Sequence, residues 1–284
     1  MAVVCVSGGM AGSRQAPWMP VQALHQADGI TQVQRPRETE IGYRDMYTFD
    51  SRIRYSETDS QGKLTMASLI NYFQDSSTFH SEDLGLGLGY LHKRHLVWVL
   101  SSWQIVVNRY PRLCEHVTIG TQPYDMKGFL GYRNFAMMGE DGSYAAVANS
   151  IWSLLDTRTG KPCMVPREMV EGYCLGEKLS MAYAPRKIAV LPGGAEYAPI
   201  PVKKHHLDTN QHVNNQQFID IAMDYLPEDF GIGQMRAEYK KQAYLEDVLK
   251  PYVAVGDNVV YVALRDEAGA PYVSVEFSGG SSRE

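Results

Sequence analysis

The chain has 284 residues, of which 44% are hydrophobic and 21% charged, a composition typical of soluble globular proteins. It holds no run of roughly 18 apolar residues, so no membrane insertion is expected. A formal net charge of -5 lacks the positive excess that nucleic-acid-binding proteins use, so no nucleic-acid partner is expected. The four cysteines form no C-x-x-C pair and show no zinc-finger spacing, which predicts reduced thiols and no metal site.

The first part of the chain differs from the rest in composition. Glycine, proline and glutamine are frequent there, and we predict a disordered extension over residues 1–43. Its apolar start lacks the basic region and the length of a secretory signal, while Asp28, Glu38 and Glu40 disfavour a transit peptide. An alternative is that translation starts at Met46, directly before the first periodic segment.

Residues 44–183 are predicted to form a first unit of mixed helix and sheet. Tyr47–Tyr55 alternates like a strand, and Met66 to about Asp83 has the apolar spacing of a helix. Glycines then end the helix, and the next strands are predicted at residues 95–110, 117–124, 131–138 and 144–156. Three tryptophans of these strands are expected in the core: Trp98, Trp103 and Trp152.

Residues 184–201 are rich in proline and are predicted to be a linker to a second unit over residues 202–284. The second unit repeats the order of the first, with a strand at 202–208 and a helix from about Asn214 to Leu226. Its further strands are predicted at residues 234–244, 248–255, 258–265 and 272–277. A helix followed by antiparallel strands, twice in one chain, predicts the α+β class.

The segment that enters the second helix carries three side chains suited to chemistry. Asp208, Asn210 and His212 are spaced two residues apart, so in an extended segment they would face the same side. A carboxylate, an amide and an imidazole can together act as a general base on a carbonyl centre. Unpaired N–H groups at the helix start, near Val213 to Asn215, would stabilise an oxyanion.

A second copy of this segment lies in the first unit. Asp59–Asp75 aligns with Asp208–Asp224 without a gap, and the apolar positions of the two helices match. The polar positions differ, because Gln61 stands opposite Asn210 and Lys63 opposite His212. The second unit is therefore expected to be catalytic and the first to be a structural copy.

A long helix wrapped by an antiparallel sheet, present twice, predicts a tandem (double) hotdog fold. Leu207-Asp-Thr-Asn-Gln-His-Val-Asn-Asn215 resembles the signature of the acyl-acyl carrier protein thioesterases of plants and bacteria. The segments 148–156 and 237–241 resemble strands of the same family, and the resemblance covers roughly residues 47 to 277. It implies hydrolysis of the thioester between a fatty acyl chain and the phosphopantetheine arm of acyl carrier protein (ACP), without a cofactor, in the bacterial cytoplasm rather than a plastid.

The resemblance places Asp208, Asn210 and His212 on the catalytic positions of the family. The family pattern has Glu, often followed by Cys, on the next strand, where this chain has Gln242 and Ala243. Glutamine cannot act as a base but can orient a water, and alanine removes a thiol nucleophile. We therefore expect water attack in which His212 exchanges protons, while Asp208 orients the histidine, activates the water or itself attacks.

The acyl tail requires a long apolar pocket, and the first helix, with Met66, Leu69 and Phe73, is the candidate wall. Ordinary core packing is the competing interpretation of these three residues. Because ACP is acidic, a basic rim is expected near the pocket, and Lys203-Lys204 and Lys240-Lys241 flank the proposed site.

Several alternatives stay open at the level of sequence. An acyl-CoA thioesterase of the same fold shares the pantetheine arm, and a non-catalytic acyl-binding hotdog protein would explain Gln242. A hotdog dehydratase places its acid–base pair differently on the helix. Two hotdog units in one chain are compatible with a monomer or a homodimer.

Overall fold

The computed structural model describes residues 46–208 and 210–280, so the extension predicted over residues 1–43 lies outside the described residues. The first part of the described chain contains β1 (Tyr47–Arg52), α1 (Met66–Asp83), α2 (Leu88–Lys93), β2 (Leu96–Val107), β3 (His116–Lys127), β4 (Leu130–Gly139), β5 (Tyr144–Asp156), β6 (Lys161–Pro162) and α3 (Arg167–Tyr173). The second part contains β7 (Ala195–Glu196), β8 (Ile200–Pro201), α4 (Asn215–Met223), β9 (Ile232–Tyr239), β10 (Val248–Val255), β11 (Val259–Arg265) and β12 (Pro271–Gly279).

The strands form one antiparallel sheet that runs through both parts of the chain. Its order is β1-β3-β4-β5-β2-β9-β12-β11-β10-β7, with β6 paired to β5 and β8 paired to β10. Each half has the same internal order, because the strand after the helix (β2 or β9) lies at the centre and the others follow outward. The halves meet where β2 pairs with β9, with Trp103 opposite Ala237. The sheet thus repeats the duplication predicted from the sequence.

The two long helices are packed against this sheet and against each other. Helix α1 contacts β1 and β3, and α4 contacts β11 and β12. Phe73 of α1 packs against Trp103 and Phe135 with tilted rings, and the ring centroids of Trp103 and Phe135 lie 4.9 Å apart. All three are almost fully buried, and they form part of a core cluster that spans both halves. Burial of such aromatic side chains contributes about 1.5–3 kcal/mol each to stability.

The connection between the two halves is bound to the sheet through side-chain hydrogen bonds. Asn134 Oδ1 accepts from the Leu179 N–H and the Tyr183 hydroxyl, and Gln104 Oε1 accepts from the Ala184 N–H. Further along, Glu238 Oε2 accepts from the Ile188 N–H. These contacts explain why buried amides and a buried carboxylate lie on these strands, since each satisfies backbone groups of a segment without regular structure.

The two largest differences from the prediction lie in the second part of the chain. The strand predicted at 202–208 is wrong, because only Ile200–Pro201 pairs with the sheet and Lys204–His206 form a 3₁₀ turn. Strand β9 ends at Tyr239, so the strand predicted to run to Tyr244 is also shorter. Lys240 and Lys241 both donate to the Tyr272 carbonyl, and the chain then leaves the sheet.

Candidate active site

The segment that carries Asp208, Asn210 and His212 is a closed turn rather than an extended strand. The Asp208 N–H donates to the His212 carbonyl at 2.8 Å. In return, Asp208 Oδ1 accepts from the N–H groups of Asn210 at 2.7 Å and His212 at 3.3 Å. Gln211 has a left-handed backbone with φ of 62°. The sequence argument from i, i+2 alternation is therefore wrong, and the turn instead joins the Asp208 carboxylate to the backbone of Asn210 and His212.

The Asp208 carboxylate has two distinct oxygens in this turn. Oδ1 holds the backbone in the manner of an Asx turn. Among the residues that the structure describes, Oδ2 accepts no hydrogen bond. Asp208 and His212 are half-buried, and Asn210 is exposed. One oxygen thus has a structural role, and within residues 46–208 and 210–280 the other has no partner and is accessible to a water or an imidazole.

His212 lies against a side chain that the sequence analysis did not single out. Its ring contacts the edge of Tyr244, with ring centroids 4.9 Å apart and planes at 82°. The Tyr244 hydroxyl donates to Gln242 Oε1 at 3.4 Å. The Val213 N–H donates to the Ala243 carbonyl at 2.9 Å, which fixes this loop to the turn. Gln242 therefore lies close to His212, in a loop rather than a strand. The sequence feature that could have identified Tyr244 is an aromatic residue two positions after Gln242.

The helix start supplies fewer free N–H groups than expected. Val213 and Asn214 donate to the Ala243 and His206 carbonyls, and the Asn214 side chain caps the helix by accepting from Gln216 N. The Asn215 N–H has no acceptor among the described residues. The oxyanion site predicted over Val213 to Asn215 is therefore reduced to the N–H of Asn215.

The first unit repeats the turn hydrogen bond by hydrogen bond. The Asp59 N–H donates to the Lys63 carbonyl at 2.8 Å, and Asp59 Oδ1 accepts from Gln61 N at 2.8 Å and Lys63 N at 2.9 Å. Gly62 has a φ of 70°, at the position where the second unit has Gln211. The predicted duplication is thereby confirmed, and Asp59 has the same backbone role as Asp208 without the imidazole.

A cavity of about 180 Å³ connects the second-unit turn to the first unit. Asn210 is the second-unit residue in its wall, and the other lining residues come from the first unit. They include Ser77 and Ser81 of α1, Trp98 of β2 and Trp152 of β5. The wall is mainly apolar, so the cavity can receive a hydrocarbon chain whose reacting end lies near Asn210.

The predicted pocket residues lie elsewhere in the first helix. Met66, Leu69 and Phe73 are 2%, 1% and 0% exposed, belong to the core and do not line this cavity. The cavity is lined instead by α1 from Ser77 onward, one to two turns further along. Of the three tryptophans, Trp103 is in the core as expected, whereas Trp98 and Trp152 line the cavity.

The charges near the site divide into paired and unpaired groups. Lys240 is paired with Glu238 at 3.0 Å, and Lys241 is paired with Asp266. Lys203 and Lys204 are exposed and form no ion pair within the described ranges. Within the described residues, Lys203 and Lys204 are therefore the members of the expected basic rim whose charges no carboxylate pairs with. In the cavity wall, burial lowers the pKa of Arg133 to about 10.

Residues 46–208 and 210–280 contain no group of three His, Cys, Asp or Glu side chains arranged to hold a metal ion. Over the same residues, no helix is both long enough and apolar enough to cross a membrane.

Comparison with known protein families gives two matches along the chain. A model described as the acyl-ACP thioesterase N-terminal domain matches residues 44–173, and one described as the acyl-ACP thioesterase C-terminal domain matches residues 193–264.

Among curated relatives, a chloroplastic palmitoyl-acyl carrier protein thioesterase of Gossypium hirsutum is 26% identical over 224 residues, which are 72% of this chain and 54% of the relative. The chloroplastic oleoyl-acyl carrier protein thioesterase 1 of Arabidopsis thaliana is 23% identical over 234 residues, which are 75% of this chain and 63% of the relative. The chain spans about half the length of the most similar of these curated relatives.

Solved structures give a similar result for the fold. An acyl-ACP thioesterase from Bacteroides thetaiotaomicron superposes with a TM-score of 0.76 at 23% identity, covering 83% of this chain and 98% of that chain. The 12:0-ACP thioesterase from Umbellularia californica superposes with a TM-score of 0.72 at 19% identity, covering 82% and 96%. The predicted α+β tandem hotdog fold is confirmed.

Proposed function

The chain belongs to the acyl-ACP thioesterase family, and we propose that it hydrolyses fatty acyl-ACP to free fatty acid and carrier protein. The observation that carries the proposal is the position of Asn210. It comes from the turn that holds Asp208 and His212, and it lines a mainly apolar cavity of the first unit. A thioester carbonyl at Asn210 would have its acyl chain in the cavity and its sulfur toward the surface.

In the proposed reaction a water molecule attacks the thioester carbonyl. His212 removes a proton from the water as the new C–O bond forms, and it returns the proton to the thiolate when the C–S bond breaks. Asp208 Oδ2 orients His212 or the water, while Oδ1 stays engaged with the turn. Asn210 and the Asn215 N–H donate to the carbonyl oxygen as it gains negative charge, worth about 10²–10³ in rate for one such donor.

Gln242 and Tyr244 complete the proposed site. The Tyr244 hydroxyl contacts Gln242 Oε1, and the Tyr244 ring contacts His212, so the two loops support each other. We assign Gln242 to positioning of the attacking water through its amide, because it cannot accept a proton as a glutamate would. Ala243 is buried and its carbonyl holds Val213, which leaves no nucleophile at that position.

The wider assignments are proposals of the same kind. ACP is the proposed partner, with Lys203 and Lys204 as the basic residues beside the turn that face its acidic surface. The bacterial cytoplasm is the proposed location, and the solved acyl-ACP thioesterase from Bacteroides thetaiotaomicron supports it as a bacterial protein of this fold. The units proposed are residues 44–183 and 202–284 joined by 184–201, in a monomer or a homodimer.

Hydrolysis of a panel of acyl-ACP thioesters from short to long chains tests the proposal, with matched acyl-CoA substrates and His212→Ala as control. The expected result is release that depends on chain length, is faster from ACP than from CoA, and is lost in the variant. Faster release from CoA would contradict the assignment of acyl-ACP as the substrate and would favour acyl-CoA. No turnover of either carrier, with acyl binding intact, would indicate an acyl-binding protein and would favour the interpretation in which Gln242 marks lost catalysis.

A further inference from the structure

Arg133 of β4 is a buried cation in the wall of the cavity. Arg133 is 7% exposed, and it lines the same cavity as Asn210. Its Nη1 donates to Thr121 Oγ1 at 3.2 Å and lies 3.1 Å from His80 Nδ1. The guanidinium lies 5.4 Å from the ring centroid of Tyr173, and the Tyr173 side chain is a further hydrogen-bond partner. All of these neighbours are neutral groups.

No carboxylate pairs with Arg133 among the described residues. Burial lowers the pKa of Arg133 only to about 10, so the side chain keeps its positive charge at neutral pH. Burial beside Arg133 also lowers the pKa of His80 to about 4, so the histidine is uncharged and accepts through Nδ1. A buried charge without a counter-charge is costly, and a guanidinium carries five N–H donors, more than these neighbours accept.

A plain hydrocarbon chain in the cavity would increase the free-energy cost of the unpaired Arg133 charge. It would displace water from the cavity and leave the free guanidinium donors against methylene groups, with no acceptor. An oxygen atom on the acyl chain would instead accept from the guanidinium, and hydrogen bonds to charged groups are the stronger class. The cavity wall therefore contains a polar recognition element that a purely apolar pocket does not need.

We propose that Arg133 makes this cavity selective for acyl groups that carry a hydrogen-bond-accepting oxygen, such as an oxo, hydroxyl or carboxylate group. The proposal rests on the proposed thioester hydrolysis and names the substrate class of the same site. The cavity of about 180 Å³ is close in size to a cavity of ~150 Å³ that holds benzene, so the expected chains are short, on the order of eight carbons. Asn210 would hold the thioester end, and Arg133 would bind the oxygen further along.

The competing explanation gives Arg133 only a structural role. Its contacts join β3, through Thr121, to α1, through His80, and loss of the side chain would loosen this corner. A structural role predicts an equal loss on every substrate. A recognition role predicts a change in the ratio between oxygenated and plain substrates, which is therefore the quantity to measure.

The experiment uses the full chain and four ACP thioesters of matched length: octanoyl, 3-oxooctanoyl, 3-hydroxyoctanoyl and 7-carboxyheptanoyl. For the wild type we expect kcat/KM on at least one oxygenated substrate to exceed that on octanoyl-ACP by about tenfold or more, as one charged hydrogen bond provides. Arg133→Met should lower the ratio of kcat/KM between the preferred oxygenated substrate and octanoyl-ACP to about one, while Arg133→Lys retains part of the preference. The preferred substrate shows whether the oxygen lies near the thioester or at the far end.

An equal loss on all four substrates in Arg133→Met, or a wild-type preference for octanoyl-ACP, would overturn the proposal. A second measurement is independent of turnover and of whether the variants fold. Calorimetry on the wild type would compare the non-hydrolysable pantetheine amides of the same four acyl groups. Binding of an oxygenated amide about tenfold tighter than the octanoyl amide supports the proposal even if no thioester is hydrolysed, whereas equal binding contradicts it. Failure of the hydrolysis proposal is thus separated from failure of this one.

Discussion

Replacing Asp208 by Asn separates the chemical role of this carboxylate from its role in the turn. In both units the aspartate Oδ1 accepts two backbone N–H groups, at 2.7 and 3.3 Å for Asp208 and at 2.8 and 2.9 Å for Asp59. An asparagine Oδ1 can accept the same two hydrogen bonds, so the turn is retained. Asp59→Asn is therefore a matched control that makes the same change without the imidazole.

The expected magnitudes follow from these contacts. Each variant exchanges two charge-assisted hydrogen bonds at a partly exposed turn for neutral ones, which should cost about 1 kcal/mol of unfolding free energy. Both should therefore fold, with similar losses. Asp208→Asn also removes the charge on Oδ2, and we expect kcat on acyl-ACP to fall by about 10²–10⁴. Asp59→Asn should keep activity within about threefold of the wild type.

The assay combines urea denaturation of the three proteins with release of free ACP thiol at saturating substrate. Equal activity losses in Asp208→Asn and Asp59→Asn would show that the carboxylate acts only through the backbone of the turn. Full activity in Asp208→Asn would remove this residue from the reaction. Either result would refute the asymmetry between the two units.

Three further predictions concern the surroundings of the site. The pKa of His80 is about 4 in the fold against an ordinary value of 6.5, so its neutral form is favoured, and stability is complete above pH 6.5 and falls as pH drops from 6.5 to 4. After discounting for partial exposure, the free energy of unfolding should fall by about 1–2 kcal/mol over this pH range because of His80. Denaturation of the wild type and of His80→Asn at pH 7 and 4.5 measures this, and the variant should lack the His80 contribution to the difference between the two pH values. A Cβ at Gly131 would lie 3.1 Å from the Trp98 ring in the cavity wall, so Gly131→Val should reduce hydrolysis of octanoyl-ACP about tenfold or more, and that of butyryl-ACP much less; equal losses would contradict the proposed acyl position. Tyr244→Ala removes the ring against His212 and should reduce kcat/KM by about two- to tenfold, whereas Tyr244→Phe keeps the ring and should stay within about threefold, and the reverse order would be inconsistent with ring support.

Much of the fold could be predicted from local patterns. The helix over Met66–Asp83 was predicted with its observed bounds, because apolar spacing and the glycines that follow it are local signals. The strand predicted at 202–208 failed because, beyond Val202, the chain closes a local turn in which the N–H groups of His206 and Leu207 donate to the Lys203 and Lys204 carbonyls. Val202 N donates to the Asp247 carbonyl, and such partners cannot be identified from a single segment.

The site was only partly accessible from sequence. The spacing of Asp208, Asn210 and His212 identified the segment, but the turn depends on a left-handed residue at Gln211, where the first unit has the more recognisable Gly62. The position of the cavity along α1 depends on packing: Phe73 contacts Phe135 and Trp103, whereas the following turns, from Ser77 onward, line open space. Three-dimensional packing decides that, and periodicity does not reveal it.

The most direct test of the proposed reaction is a single turnover in H₂¹⁸O with enzyme in excess over acyl-ACP. Water attack on the thioester carbonyl predicts one free fatty acid for each free ACP thiol, with one ¹⁸O atom in the carboxylate after the first turnover. Unlabelled fatty acid would show that an enzyme carboxylate attacked first, with the solvent oxygen retained on the protein. No release of fatty acid or thiol would contradict the proposed thioester hydrolysis itself.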